Sequence, residues 1–242
     1  MKVKNRLLDT ELIIYQDDDW FKFSMDSVLL SKFVTINLRH KKIIDLATGN
    51  APIPLLLTYR TDALIYGIEY QTGVYELGIQ SVEANKMSSR IELLNDDVRR
   101  IRTIFEGDTF DVVTCNPPYF KTGNVEFFNV NEVKTLARHE VTLTLSDVLK
   151  QANYLLKNGG IFAMVHRTER FVEIIEQMKE YNIEPKRVQF IYPKKGKDSD
   201  LFLIEGIKNG KSGLKMLSPL VVHNDDNTYT EELLEILNFD KR

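Results

Sequence analysis

Residues 112–121 read VVTCNPPYFK. Val112, Val113, Thr114 and Cys115 form an apolar, strand-favouring run. The next residues include two prolines that cannot donate to a β ladder, so a central strand must end at Asn116. Beyond the strand the chain makes a rigid turn that presents one amide, from Asn116, and one ring, from Tyr119, past the edge of a sheet.

The same punctuation recurs on both sides of this strand. KKIIDLA (41–47), ALIYGIE (63–69), RIELLN (90–95), TFDVVTC (109–115) and IFAMVHR (161–167) read as strands. Helical stretches separate them. PIPLLLTYR (52–60) carries proline in its first turn, where it is tolerated. TGVYELGIQSVEANKM (72–87) has Val74, Leu77 and Val82 at helical spacing, and DVRRIRTIF (97–105) is shorter. TLSDVLKQANYLLKNGG (144–160) reads as a helix with Ser146 as N-cap and Gly159-Gly160 as stop. After the helix ERFVEIIEQMKEY (169–181), two strands, PKRVQFIYP (185–193) and SDLFLIEGIK (199–208), are joined by the basic loop KKGKD. YTEELLEILNF (229–239) closes as a helix capped by Thr230, and residues 120–135 read as a loop. Five strand–helix alternations predict an α/β fold, doubly wound on a mostly parallel seven-stranded sheet with an antiparallel edge from the last two strands.

The chain has 242 residues, 43% hydrophobic and 28% charged, which suits one such domain. No repeat or linker divides it. A net charge of -3 argues against indiscriminate binding of polyanions, though a local basic patch remains compatible with it. Cys115 is the one cysteine, so no internal disulfide can form, and the usage fits a reducing compartment. The N-terminus carries no secretory pattern. The apolar cluster at Pro52–Leu57 is far too short to span a membrane, and a cytoplasmic protein is expected. The histidines do not cluster, so no metal is expected.

Doubly wound sheets bind ligands at the carboxyl ends of their strands, near the topological switch point. There the chain places DLATGNA (45–51), Glu69, NDD (95–97) and NPPY (116–119). Glu69 lies 24 residues after Asp45, a spacing that suits an acid holding two ribose hydroxyls. A nucleotide loop favours glycine at 47, 49 and 51, and only Gly49 is present. The Cβ atoms of Ala47 and Ala51 narrow any backbone approach to a pyrophosphate. A cofactor without phosphate tolerates them better, and the turn reads equally as a tight strand–helix connection. Asp96 and Asp97 suit an exocyclic adenine amine, while Asp97 equally suits a cap for the helix starting at Val98.

The NPPY turn suits methyl transfer to a planar, conjugated amine such as adenine N6 or a carboxamide nitrogen. The lone pair of such an amine is delocalised. Two acceptors on its hydrogens, the Asn116 side-chain carbonyl and the Pro117 backbone carbonyl, favour charge building on nitrogen in the transition state. Pro117 and Pro118 fix φ and so preorganise the turn. Tyr119 offers a face on which a flat substrate stacks. No general base is obligatory, and alignment is the main task.

On these motifs the chain, from about Phe21 to Phe239, resembles the class I S-adenosylmethionine-dependent methyltransferases. Within them it resembles the NPPY branch that methylates planar amino groups. The resemblance implies S-adenosylmethionine as cofactor, with Asp45, Ala47 and Gly49 holding its methionine part, Glu69 its ribose and Asp97 its adenine, and Asn116 beside the transferred methyl. The family's Gly-x-Gly-x-Gly turn is here Ala-x-Gly-x-Ala. FKFSMDSVLLSKF (21–33), ARHE (137–140), KNGKSGLKMLSPLVV (208–222) and YTEELLEILNF further resemble the bacterial transfer-RNA adenine-N6 methyltransferases that act at position 37 of a valine tRNA. This implies one methyltransferase domain over 1–242: an extension over 1–40 that contributes to the cofactor site, a core sheet over 41–208 and a C-terminal extension over 209–242. The implied partner is tRNA, with no membrane and no obligate protein partner. Basic residues at Lys2, Lys4 and Arg6, at Arg138 and His139, at Arg167 and Arg170, and at Lys194, Lys195 and Lys197 are candidates for gripping RNA, each also readable as solvated surface charge. The loop with Phe120, Phe127 and Phe128 could close over an unpaired base. The same motif logic serves protein N5-glutamine methylation, DNA adenine-N6 methylation or a non-catalytic cofactor-binding protein. The short N-terminal extension and the lack of a visible recognition domain count against the first two. The intact NPPY and Glu69 count against the last.

Overall fold

The computed structural model describes residues 2–7, 10–17, 25–117 and 143–239. Pro118, Tyr119, the phenylalanines of the 120–135 loop, Arg138 and His139 lie outside the described residues.

The strands read from the sequence form the central sheet. They are β3 (Lys42–Leu46), β4 (Leu64–Glu69), β5 (Ile91–Asn95), β6 (Phe110–Cys115), β7 (Leu156–Arg167), β8 (Ile183–Lys194) and β9 (Leu201–Lys208). Their spatial order is β5-β4-β3-β6-β7-β9-β8. Pairing is parallel throughout, except that β9 runs antiparallel between β7 and β8. The order reverses at β3, with β4 on one side and β6 on the other, so the switch point lies between β3 and β6. Two short strands, β10 (Lys215–Met216) and β11 (Leu220–His223), add parallel pairings to β8 and bring the described sheet to nine strands rather than the expected seven. Neither has the length or alternation that marks a strand in sequence.

The central strands alternate between two buried faces. Ile43, Val112, Ala163 and Leu203 pack with Val28, Leu29, Leu30 and Leu55 on one side. Ile44, Val113, Phe162 and Phe202 pack with Val148, Ala152, Ile174 and Met178 on the other. The first face is covered by α1 (Met25–Phe33), α2 (Pro52–Leu57) and α3 (Thr72–Ala84), and the second by α4 (Leu145–Leu155) and α5 (Phe171–Glu180). A final helix, α6 (Glu231–Leu237), is capped by Thr230, whose hydroxyl accepts from Leu233 N, as expected.

Several boundaries depart from expectation for local reasons. Helix α4 is capped by Thr144, not Ser146. Thr144 and Asp147 form a reciprocal capping box that satisfies two backbone donors at once, which Ser146 cannot match. The helix ends at Leu155, ahead of Gly159-Gly160. Those glycines fall inside β7, where pairing with β6 jumps from Phe110↔Leu156 to Val112↔Ile161, and Gly159 adopts φ +77°. The expected helix at 97–105 is a single stretch of 3-10 helix, Val98–Thr103.

Two N-terminal elements lack a clear signal in the sequence. Strands β1 (Lys2–Arg6) and β2 (Ile13–Asp17) form an antiparallel hairpin. It docks on α3, where Asn85 exchanges hydrogen bonds with Ile13 N and O (2.8 and 2.6 Å) and Ser81 Oγ accepts from Tyr15 N (2.9 Å). Helix α1 is pinned at its C-terminal end by a buried carboxylate. Glu205 on β9 accepts from Thr35 N (2.6 Å), Thr35 Oγ1 (2.9 Å), Arg187 Nε (3.1 Å) and Arg187 Nη2 (3.2 Å). Arg187 also donates to Phe33 O and stacks over the Phe33 ring, 4.7 Å from its centroid.

Candidate active site

The site is built around the switch point, where β3 and β6 end side by side. The turn after β3 takes the chain through three left-handed residues, Ala47 (φ 54°), Gly49 (φ 61°) and Ala51 (φ 69°). The geometry that glycine would adopt freely is therefore kept with alanine at two positions, at about 1 kcal/mol or more each. Tertiary contacts hold it. Thr48 N donates to Ile68 O (3.0 Å), Gly49 N to Glu69 Oε2 (2.9 Å), and Asn50 Nδ2 to Tyr15 O on the hairpin (2.7 Å). Close approach comes from glycines outside the turn. A Cβ at Gly67 on β4 would lie 2.8 Å from Thr48 Cγ2 and 2.7 Å from Leu93 Cδ2. A Cβ at Gly78 on α3 would lie 2.9 Å from Leu93 Cδ1 and 3.4 Å from Gly49 O. Gly67 and Gly78 thus let β4 and α3 press against the turn. Sequence reasoning looks for these glycines within the turn and misses them in its neighbours.

Two buried acids border it. Asp45, 1% exposed, accepts from Thr114 Oγ1 at 2.7 Å. Burial pushes its carboxyl up to about 7, against the hydrogen bond from Thr114, with the charge of Glu69 adding to the rise. Glu69, 7% exposed, accepts from Gly49 N and from Gln71 N (2.8 Å), and burial raises its pKa. Neither acid has a lysine or arginine ion-pair partner among the described residues. Buried, unpaired carboxylates fit a cationic ligand, and a sulfonium that also carries an ammonium group meets that requirement. Asn95, at the end of β5, braces the Glu69 corner: its Nδ2 donates to Glu69 O (2.8 Å) and Tyr70 O (3.1 Å), and its Oδ1 accepts from Thr72 Oγ1 (2.8 Å). It belongs to the NDD stretch that the sequence places at this edge, where only Asp96 and Asp97 are given a role.

Asp97 performs the capping half of its two readings. It accepts from Arg99 N (2.9 Å) and pairs with the Arg99 guanidinium, whose hydrogen bonds hold its pKa below the ordinary carboxylate value. Across the switch point, Asn116 leaves β6 half-buried and Pro117 is buried. Asn116 lies two residues after Thr114 and so shares its face with Asp45, Thr114 and α1. Its Nδ2 donates to Ser27 Oγ on α1 at 3.0 Å. His166 is the penultimate residue of β7, two residues beyond Met164, which pairs with Cys115 at the end of β6. Burial and the nearby Arg170 lower its pKa to about 4, so the ring is neutral at physiological pH.

The basic loop after β8 leaves the same carboxyl edge, because β8 runs parallel to β7 through the antiparallel β9. It starts three strand spacings from β6, about 14 Å. Lys194 is half-buried with its Nζ donating to Asp225 O (3.2 Å), while Lys195 and Lys197 are exposed. Among the described residues no group of three or more His, Cys, Asp or Glu is placed to hold a metal, and no helix is long and apolar enough to cross a membrane.

Known proteins resemble this chain in sequence and in fold. Residues 37–232 match the family model described as "Methyltransferase domain". The chain is 26% identical over 228 residues to the "tRNA1(Val) (adenine(37)-N6)-methyltransferase" of Flavobacterium psychrophilum, covering 92% of this chain and 93% of that one. It is 27% identical over 226 residues to the protein of the same name from Haemophilus influenzae, covering 92% of each. Among solved structures, a predicted O-methyltransferase from Agrobacterium tumefaciens superposes with a TM-score of 0.72 at 22% identity, covering 89% of this chain and 96% of that one. Geranyl diphosphate C-methyltransferase from Streptomyces coelicolor, solved with S-adenosyl-L-homocysteine, superposes at 0.58 with 10% identity, covering 76% and 77%. With most of its length inside the family model and its site at the switch point of the same fold, the chain belongs to the methyltransferase domain family.

Proposed function

We propose that this chain methylates the exocyclic N6 of an unpaired adenine in RNA, adenine 37 of a tRNA anticodon loop, in the cytoplasm and as a single domain over residues 1–242. S-adenosylmethionine is the methyl donor and supplies the methyl group on a positively charged sulfur. Asp45 and the backbone of Ala47 and Gly49 hold its methionine part, Glu69 receives its ribose hydroxyls, and Asp97 is the acid on the adenine side. The hairpin, whose Tyr15 O accepts from Asn50 Nδ2, ties the N-terminal extension to this turn.

The observation that carries the reading is Asn116, an amide held at the switch point on the same face as the buried Asp45. Its carbonyl oxygen accepts one hydrogen of the target amine, and the Pro117 carbonyl accepts the other. Tyr119 and Pro118 complete this turn in the proposal. Holding the amine by both hydrogens turns its nitrogen towards the methyl carbon, and alignment then drives the transfer. An anticodon-loop adenine is already unpaired and costs little to splay out. Lys194, Lys195 and Lys197, and Arg138, would track its backbone phosphates. The names of the relatives favour this acceptor over a glutamine or a DNA base.

Mass spectrometry of nucleosides from tRNA of a strain lacking this protein tests the reading. N6-methyladenosine at one anticodon-loop position should vanish and return with the wild-type chain, but not with Asn116→Ala. An unchanged nucleoside profile overturns it.

A further inference from the structure

Asn116 presents two ends of opposite polarity. If the amide turned by half a rotation, an NH2 group would face the target amine, donor against donor. Contacts on the far side of the amide must therefore hold it in place.

One such partner is Ser27. It sits in the first turn of α1, 4% exposed, and its Oγ accepts from Asn116 Nδ2 at 3.0 Å across 89 residues of sequence. Burial keeps water from taking over the contact. Ser27 is also held in place by more than its own helix. Arg60 donates to Ser31 O, Arg187 to Phe33 O, and Lys32 Nζ to Asn238 O (2.8 Å), while Thr35 binds Glu205 through both its N–H and its hydroxyl. The helix is thus fixed by β8, β9 and the C-terminal segment, and it delivers one hydroxyl to the rim of β6.

We infer that Ser27 is a positioning residue for methyl transfer: its hydroxyl anchors the Asn116 side chain through the NH2 group and so fixes the plane and reach of the amide that meets the acceptor nitrogen. This rests on the reading of Asn116 as the amine-holding group. Serine is otherwise an unfavourable choice on a buried helix face, and the contact with Asn116 accounts for it.

The test uses Ser27→Ala, Ser27→Thr and Ser27→Val in the full chain, with an unmodified valine-tRNA transcript and labelled S-adenosylmethionine. Thr and Val have nearly the same shape and differ by the hydroxyl. Ala and Val should lower kcat about 10- to 100-fold, the cost of a small misplacement at the reacting centre. KM for the transcript, calorimetric affinity for S-adenosylmethionine and melting temperature should stay near wild type. Thr should restore most of kcat. A kcat within twofold of wild type in Ser27→Ala, or Thr and Val equally impaired, overturns the inference. So does a loss of kcat that only tracks a loss of melting temperature. Asn116→Ala run alongside separates the two readings. Full activity in that variant sinks the assignment of Asn116 itself, whereas an inactive Asn116→Ala with a fully active Ser27→Ala sinks only the role of Ser27.

Discussion

The turn after β3 and the turn after β6 lie side by side at one rim, yet they are secured in different ways. The first is gripped mainly by the sheet itself, Thr48 N by β4, Gly49 N by Glu69 and Asp45 by Thr114 of β6, with Asn50 tied to the N-terminal hairpin. Most of these contacts use backbone groups or acids on adjacent strands, so the turn keeps its shape even with alanine in left-handed conformation. The second turn is met from outside the sheet, by a serine on a helix that precedes β3. On the proposed reading, cofactor geometry is a property of the core, while acceptor geometry depends on how an added helix is docked. The two should fail separately.

Asn116→Ala breaks the acceptor side most directly. Methyl transfer should fall about 1,000-fold, the scale of losing a preorganised group aimed at developing charge. Heat of S-adenosylmethionine binding in a calorimeter should persist. Near-normal turnover would show that the two turns are not divided in this way.

Glu205→Ala loosens the far end of α1. It leaves Arg187 half-buried without its carboxylate and removes two acceptors from Thr35. Unfolding in urea should show a loss of about 3 kcal/mol, with cofactor affinity of the folded protein retained. A loss below about 1 kcal/mol would mean that the clamp does little.

Asp45 sharpens the cofactor side through pH. Its folded pKa, about 7, stands above the unfolded value of 3.8. The stability it contributes is complete below 3.8 and is lost as pH rises to about 7. A cationic ligand favours the ionised form, so binding should expel the proton. Affinity for S-adenosylmethionine should climb by up to about tenfold between pH 6 and 8, and Asp45→Asn should flatten both slopes. A wild-type affinity that is level across that range would rule out Asp45 as a partner of the positive charge.

Ala47→Gly has the smallest expected effect. Relief of the left-handed Cβ penalty, about 1–2 kcal/mol, outweighs the added chain entropy, about 0.5–1 kcal/mol. Thermal unfolding should therefore shift slightly upward. A downward shift would show that the alanine methyl packs better than its backbone suggests.

Much of the fold is legible in the sequence. Alternating apolar runs identify the central strands because parallel strands are buried on both faces. Asn116 and Glu69 stand out because prolines and strand ends are local signals. Ser27, Gly67, Gly78, Glu205 and the bracing role of Asn95 are not legible, since each acts on a partner 23 to 170 residues away or on a neighbouring strand. One signal is available: a glutamate inside the buried run LFLIEGIK demands a compensating partner, though sequence alone cannot say which. The hairpin and α1 stay hidden because their stretches are short and their burial is supplied by other elements.

The docking of α1 also has a consequence for biogenesis. The helix is made early, but most of the groups that seat it, Arg187, Glu205 and the Asn238–Phe239 segment with its ring under Lys32, emerge 154 to 207 residues later. A ribosome-bound fragment could assemble the strands that cradle the donor long before it could orient the acceptor. Nascent chains should then capture the donor well before they gain the power to modify RNA.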